Sequence, residues 1–161
     1  MNNQSFAPTG MRYEGIGTGM PKLTSRDYNT LLRFRTALRR FERWSEERAK
    51  QVGLTPAQHQ LLLAITGHTD HQGPTIGEVA DYLTVRHHSA VGLVDRAVEA
   101  GLVERIRDPQ DSRVVRLIAT ALGEERIEAL SELHLAELGR LTPLLDHLTA
   151  SLPIPEVSAE G

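Results

Sequence analysis

Thr75–Leu117, TIGEVADYLTVRHHSAVGLVDRAVEAGLVERIRDPQDSRVVRL, is the stretch whose reading decides the fold. Ile76, Val79, Ala80 and Leu83 recur at spacings of three and four, which predicts a short amphipathic helix over 76–83. A tight bend follows at Thr84-Val85. A second helix is expected from about Arg86 to Ala100, stopped at Gly101, the residue type that best tolerates a left-handed helix end. After it come two short β-branched runs, Leu102–Ile106 and Val114–Ile118. Between them Arg107-Asp-Pro-Gln-Asp-Ser112 is dense in turn formers, since Pro presets φ and Asp bonds its own backbone. Two helices around a short bend, then a hairpin, make a winged helix-turn-helix. The fold class is therefore mainly α with a small β-hairpin wing.

What faces outward narrows the function. In the second helix Val85, Ala90, Val94, Ala97 and Val98 are expected to pack inward. That leaves Arg86, His87, His88, Ser89, Gly92 and Arg96 on the exposed side, with Val91 at its edge. The first turn carries hydrogen-bond donors, and no acid appears until Asp95. A recognition helix enters the major groove with its N-terminal residues first, so donors belong there. Ser89 and the free amides of the helix start suit phosphates. The partner implied is double-stranded DNA. The competing reading is a solvated polar helix in a winged domain used for protein contacts.

Leu93-Val-Asp-Arg96, Gly101-Leu-Val-Glu-Arg105 and Asp108-Pro-Gln-Asp-Ser-Arg113 carry a family resemblance. The segment is similar to the multiple antibiotic resistance regulator (MarR) family of bacterial transcription factors, and the likeness extends weakly over 24–150. The family's wing has an Asp-x-Arg motif, matched here by Asp111 and Arg113. The resemblance implies that Arg113 reaches the minor groove from the wing tip and that Asp111 orients it. Arg107, at the entry to the turn, completes the expected DNA-contacting set. Two positions depart from the family: Val91 stands where Thr is usual, and Ala119 replaces the Leu that usually precedes Thr120.

The resemblance also implies a homodimer joined through its first and last helices, a repressor's role on a near-palindromic operator, and release by a small aromatic or phenolic effector. The effector would enter a cleft between the dimer helices and the DNA module. Trp44 with Arg40 or Arg43 has the chemistry to stack on and pair with an aromatic carboxylate. His59 stands where a relative often has an aromatic residue. Each of these also has an ordinary reading, as core, half-buried or surface residues.

Composition bounds the rest. At 161 residues the chain suits one domain with extensions. It carries 18 basic and 21 acidic residues, a net charge of −3. The module over 76–118 has six Arg and seven Asp or Glu, so any basic footprint is local rather than global. Of the 18 basic residues 16 are Arg, which suits bidentate contacts with guanine edges or phosphates. Sequence-specific binding with modest non-specific affinity follows. The absence of cysteine excludes both thiol-oxidation sensing, which some relatives use, and cysteine zinc sites. The longest apolar run, Leu61–Ile65, is far short of a membrane span, and no secretion signal opens the chain, so a cytoplasmic protein is expected.

The chain divides into a Gly- and Pro-rich arm over 1–23, dimerisation helices over 24–54 and 120–152, the winged module over 55–119 and a frayed tail over 153–161. Thr24 or Ser25 caps a long first helix reaching about Val52, with Tyr28, Leu31, Leu32, Leu38, Phe41 and Trp44 on an apolar stripe. Thr55-Pro56-Ala57-Gln58 is a capping box with Pro at the first helical position, opening a helix to about Thr66. A helix from about Ala121 is expected to give way at Thr142-Pro143, where the cap-then-proline signal repeats. The loop His68-Thr-Asp-His71 has metal-ligand residue types but lacks the helical spacing that aims two imidazoles at one ion, so no metal or cofactor is expected. No nucleophile elbow, phosphate-cradling loop or carboxylate pair points to an enzyme.

Overall fold

The computed structural model describes residues 23–150, apart from the side chains of Leu144, His147, Leu148 and Thr149. The expected arm and tail lie outside the described residues, save for Leu23. The elements run α1 (Ser25–Gln51), α2 (Pro56–Thr66), α3 (Ile76–Tyr82), α4 (His87–Glu99), β1 (Val103–Arg107), β2 (Val115–Ala119) and α5 (Ala121–Thr149). Residues 39–142 form one compact unit, and the described residues 23–38 and 143–150 belong to a second.

The helices begin where side chains satisfy their first amides. At α2 the Thr55 hydroxyl accepts from Gln58 N at 3.2 Å, while Gln58 Oε1 accepts from Thr55 N at 2.9 Å, with Pro56 at the first helical position. The same reciprocal box opens α3 between Thr75 and Glu78, at 3.3 and 2.7 Å. Each box satisfies donors that would otherwise be orphaned at a helix start. Gly101 ends α4 at φ +69, a conformation that costs a side-chain-bearing residue free energy. Thr84, in the bend between α3 and α4, takes the left-handed region at φ 54 despite its branched side chain.

The hairpin pairs antiparallel with Val103 opposite Ala119 and Arg107 opposite Val115. Each strand sits one residue later than the β-branched runs suggest. Thr75 adds an isolated bridge to Arg116, and Leu117 N donates to Pro74 O at 2.9 Å, so the segment before α3 forms a third edge on β2. Gly73 permits that approach, because a Cβ there would stand 2.1 Å from Leu117 O.

The core of the 39–142 unit draws Leu54, Leu61, Leu62 and Ile65 from around α2, Val79 and Ala80 from α3, and Ala90, Leu93, Val94 and Ala97 from α4. Leu102, Val103 and Leu117 enter from the hairpin, and Ile127 and Leu130 from α5. Leu54, Leu61, Leu62, Leu102, Leu117 and Leu130 are all at most 2% exposed, and burying each such side chain stabilises by about 1.5–3 kcal/mol relative to leaving it in water.

Two expectations fail. Val85 does not pack inward but is 42% exposed, because it lies in the extended bend before α4 rather than on the helix. No new helix begins at Thr142-Pro143: α5 runs through Pro143. The Thr142 hydroxyl turns back to Leu138 O at 2.9 Å, the bond of a mid-helix threonine rather than of a cap.

Candidate nucleic-acid interface

The start of α4 gathers exposed hydrogen-bond donors. Arg86 is its N-cap in extended backbone, φ −69 and ψ 146, and no side chain caps the helix. Arg86, His87, His88 and Ser89 are all exposed, so donors cluster at the positive end of the helix dipole. Beneath them Ala90, Leu93, Val94 and Ala97 fix the helix on the core. Val91 and Gly92 are half-buried and Arg96 is exposed one turn on. The Arg96 guanidinium lies 3.4 Å from where a Cβ on Gly92 would stand, so the glycine leaves it room to lie along the helix. Asp95 is the first acid on this surface, and Arg105 of β1 forms an ion pair with it. That pairing offsets the negative charge of the first acid along α4.

The wing tip is organised by two aspartates. Asp108 Oδ1 accepts from Gln110 N at 2.7 Å and Asp111 N at 3.1 Å, which folds the turn. Asp111 in turn accepts from Arg113 N at 3.0 Å, from Arg113 Nε at 3.1 Å and from its Nη2 at 3.2 Å. A bidentate carboxylate thus holds the Arg113 guanidinium while its side chain stays 89% exposed. The Arg113 side chain and backbone amide hold the Asp111 carboxyl below its usual pKa. For Asp108 the amides of Gln110 and Asp111 act first, with Arg116 added, and the direction is the same. Arg107 is exposed at the end of β1.

The wing base is the reverse of its tip. Arg116 is only 17% exposed and its Nε donates to Asp108 Oδ2 at 2.9 Å. Its Nη1 donates to Gly73 O at 3.0 Å and stands 3.5 Å from Asp70 and 4.0 Å from Glu78. Burial pushes the Glu78 carboxyl up, but the Thr75 amide and hydroxyl, helped by His68 and Arg116, hold it below its usual range. His68 Nδ1 pairs with the Tyr82 hydroxyl at 2.8 Å. Among the described residues no group of three or more His, Asp or Glu gathers as a metal site.

A cavity of about 330 Å³ opens between α1 and α2, lined by Phe41, Ser45, Pro56, Ala57 and His59, with Glu42, Glu46 and Gln60 around it. Of the residues proposed for an effector only His59 lines it. Trp44 lies behind, stacked on Phe41 at 5.9 Å and edge-on to His134 at 5.0 Å, and it is Arg48 that sits over its ring. Arg40 is exposed and Arg43 leans on Glu47 at 4.0 Å, so neither reaches the cavity. The helical period explains this: Phe41 with Ser45 and Glu42 with Glu46 share the cavity side, and Arg43 with Glu47 falls outside it. His59 is 4% exposed and its ring lies 4.8 Å from that of His134. Burial first, and the neighbouring His134 second, lower its pKa. His134 bonds Leu130 O at 2.8 Å and the Ser45 hydroxyl at 2.7 Å.

The structure therefore sets Arg86, His87, His88, Ser89, Arg96, Arg107 and Arg113 on the exposed surface of one unit, with Val91, Gly92 and Asp111 half-buried among them. Of Arg40, Arg43, Trp44 and His59 it brings only His59 to the cavity. Sequence reasoning missed Arg116, Asp70 and Glu78. Only Glu78 had a local signal, since Thr75-x-x-Glu78 is a capping box.

Residues 52–114 match the profile of the MarR family. A MarR family protein from Bacillus stearothermophilus superposes with a TM-score of 0.62 at 28% identity, covering 76% of this chain and 82% of that one. A variant of Staphylococcus aureus MepR bound to an oligodeoxyribonucleotide superposes with a TM-score of 0.55 at 20% identity, covering 81% and 86%. The chain is also 27% identical over 106 residues to a LexA repressor of Magnetococcus marinus, covering 63% of this chain but only 43% of that protein. Among the described residues no helix is long and apolar enough to cross a membrane.

Proposed function

We propose that the chain is a DNA-binding transcription regulator of the MarR family, whose profile its residues 52–114 match, and that it works as a homodimeric repressor on a near-palindromic operator. Arg86, His87, His88 and Ser89 enter the major groove, with Val91, Gly92 and Arg96 along the same face. Arg113, steered by Asp111, reaches the flanking minor groove, and Arg107 meets the backbone. The observation that carries this reading is the uncapped, donor-rich start of α4 on the same unit as an arginine held in a carboxylate fork.

Exposed leucines support the dimer. Leu133, Leu135 and Leu138 on α5 are 45%, 70% and 43% exposed, and Tyr28, Leu31 and Leu32 on α1 are 61%, 46% and 61% exposed. Apolar side chains at this density on a helix call for a partner, and a second copy is the simplest one. Two copies would set their recognition helices about 34 Å apart, one turn of DNA.

For the effector, the cavity beside His59 has room for a single aromatic ring. Glu42 and Glu46 beside it oppose a carboxylate, so a neutral phenol is the ligand we expect.

The balance of six Arg against seven acids in the module favours one alternative, a winged domain that contacts protein and leaves DNA alone. Fluorescence anisotropy on DNA selected from a random pool, across a salt series, separates the two. A repressor binds the selected site with a steep salt slope and random DNA far more weakly. A protein-contact domain binds neither.

A further inference from the structure

We infer that Arg116 is the positioning residue that aims the wing: it couples the first helix of the helix-turn-helix to the arginine at the wing tip. The relay is continuous in the hydrogen bonds. Glu78, which caps α3, and Asp70 and the Gly73 carbonyl, which precede it, surround the Arg116 guanidinium. Arg116 Nε holds Asp108 Oδ2 at 2.9 Å. The other oxygen of Asp108 holds the amides of Gln110 and Asp111, and the Asp111 carboxylate grips Arg113. One half-buried guanidinium thus stands between two charged turns that belong to different elements.

The backbone alone does not make this link. The bridge from Thr75 to Arg116 and the bond from Leu117 N to Pro74 O secure β2 at its base. Asp108, where the chain leaves β1, bonds its own hairpin through its amide, but it reaches the residues before α3 only through its side chain and Arg116. That carboxylate is 7% exposed, with little water to replace Arg116. At the far end of the hairpin Asp108 N donates to Val114 O and Val114 N to Asp111 O, each at 2.9 Å, bonds that close the turn on itself without tying it to α3. With Arg116 in place the wing leaves the module in one direction, and α3 sets that direction. Arginine is needed rather than lysine, because only a planar fork meets a carboxylate and a carbonyl from two nitrogens at once.

The inference rests on the DNA reading of the wing, and its test keeps the two apart. In the full-length protein Arg113→Ala, Arg86→Ala and Arg116→Met are made singly, and the first two are also combined with Arg116→Met. Affinity for the selected operator is measured by anisotropy, folding by circular dichroism, and exchange of the Gln110 and Asp111 amides by NMR. In the parent, Arg113→Ala weakens binding on the order of tenfold. In the Arg116→Met background that penalty falls to about twofold or less, while Arg86→Ala keeps its full penalty. Loss of stability alone would not move one penalty and spare the other. Gln110 and Asp111 amides exchange faster in Arg116→Met, with Leu93 and Val94 amides unchanged.

An undiminished Arg113→Ala penalty in the Arg116→Met background overturns the inference. If Arg113→Ala costs nothing in the parent, the DNA reading of the wing fails. The amide exchange then decides for or against Arg116 by itself. Should Arg116→Met not fold, Arg116→Lys serves. It keeps the charge but cannot span Asp108 and Gly73 O together, so it must still loosen the wing amides; unchanged exchange there overturns the inference.

Discussion

Leu117, on the second wing strand, is completely buried, while Leu135, on α5, keeps 70% of its surface in water. The contrast holds for the regions around them. In the winged module the inward apolar residues find partners in the same chain, and what remains exposed on the first turn of α4 is histidine and serine after Arg86, with Asp95, Arg96 and Glu99 farther along. On α5 the exposed positions include Leu133, Leu135 and Leu138. The first region buries its hydrocarbon, with Ile127 and Leu130 of α5 closing its core, and presents donors at the start of α4, which suits a polar, negative partner. The second presents hydrocarbon, so its partner is another apolar helix.

That comparison can be broken from either side, and the largest expected effect lies in the module. Leu117→Ala removes a fully buried side chain and should lower folding stability by about 2–5 kcal/mol in urea titration, with the denaturant slope unchanged. Leu135→Ala, by the same measurement at low concentration, should change stability by less than about 0.5 kcal/mol. If the two cost alike, α5 is packed within its own chain and the contrast is void.

The next effect is on assembly. Leu135→Glu with Leu138→Glu should shift the mass in light scattering from twice 17.8 kDa to 17.8 kDa, with the circular dichroism of a folded protein retained. Operator affinity should then fall by roughly 100-fold, the effective-concentration gain of two linked sites. A parent that is already a monomer would remove the basis for the dimer.

A smaller effect sharpens the account of the helix-turn-helix itself. Thr84 holds a left-handed φ of 54 in the bend, so Thr84→Gly should relieve strain and raise stability by about 1 kcal/mol. A drop in stability instead would mean that the Thr84 side chain contributes more than its backbone costs.

The smallest effect concerns pH where α2 meets α1 and α5. His59 is held neutral in the fold by burial and by His134, so its folded pKa lies below the value near 6.5 of an unfolded chain. The unfolded state therefore binds the proton more readily. The contribution to stability is full above pH of about 6.5 and is lost as pH falls from there toward the folded pKa. Urea titrations at pH 7.5 and 5.5 should show this loss in the parent and a flatter response in His59→Leu. Identical responses would mean that His59 does not change its protonation on folding.

Much of this architecture was legible because its signals are local. The Thr55 capping box, the stop at Gly101 and the turn residues around Pro109 each act within four or five positions, and the apolar spacing of α3 and α4 follows from one helical period. The module's donors were legible for the same reason. Arg116 was not, since Asp70, Glu78 and Asp108 come from three separate segments and only the fold brings them around one guanidinium. Thr142-Pro143 misled because a threonine can bond forward as a cap or backward along a helix, and the local sequence is the same for both. Val85 misled because an apolar residue at the edge of a helix was counted as part of it. Arg40, Arg43 and Trp44 share the chemistry of an aromatic-acid site with His59, but none of the three lines the cavity beside His59, which takes Phe41, Glu42, Ser45 and Glu46 from α1 instead.

Hydroxyl-radical footprinting on operator DNA selected from a random pool tests the central claim most directly. The account predicts two protected half-sites, about 10 base pairs from centre to centre, with flanking minor-groove protection that disappears in Arg113→Ala. Equal affinity for random DNA at moderate salt, or no protected half-sites on the selected DNA, would contradict it.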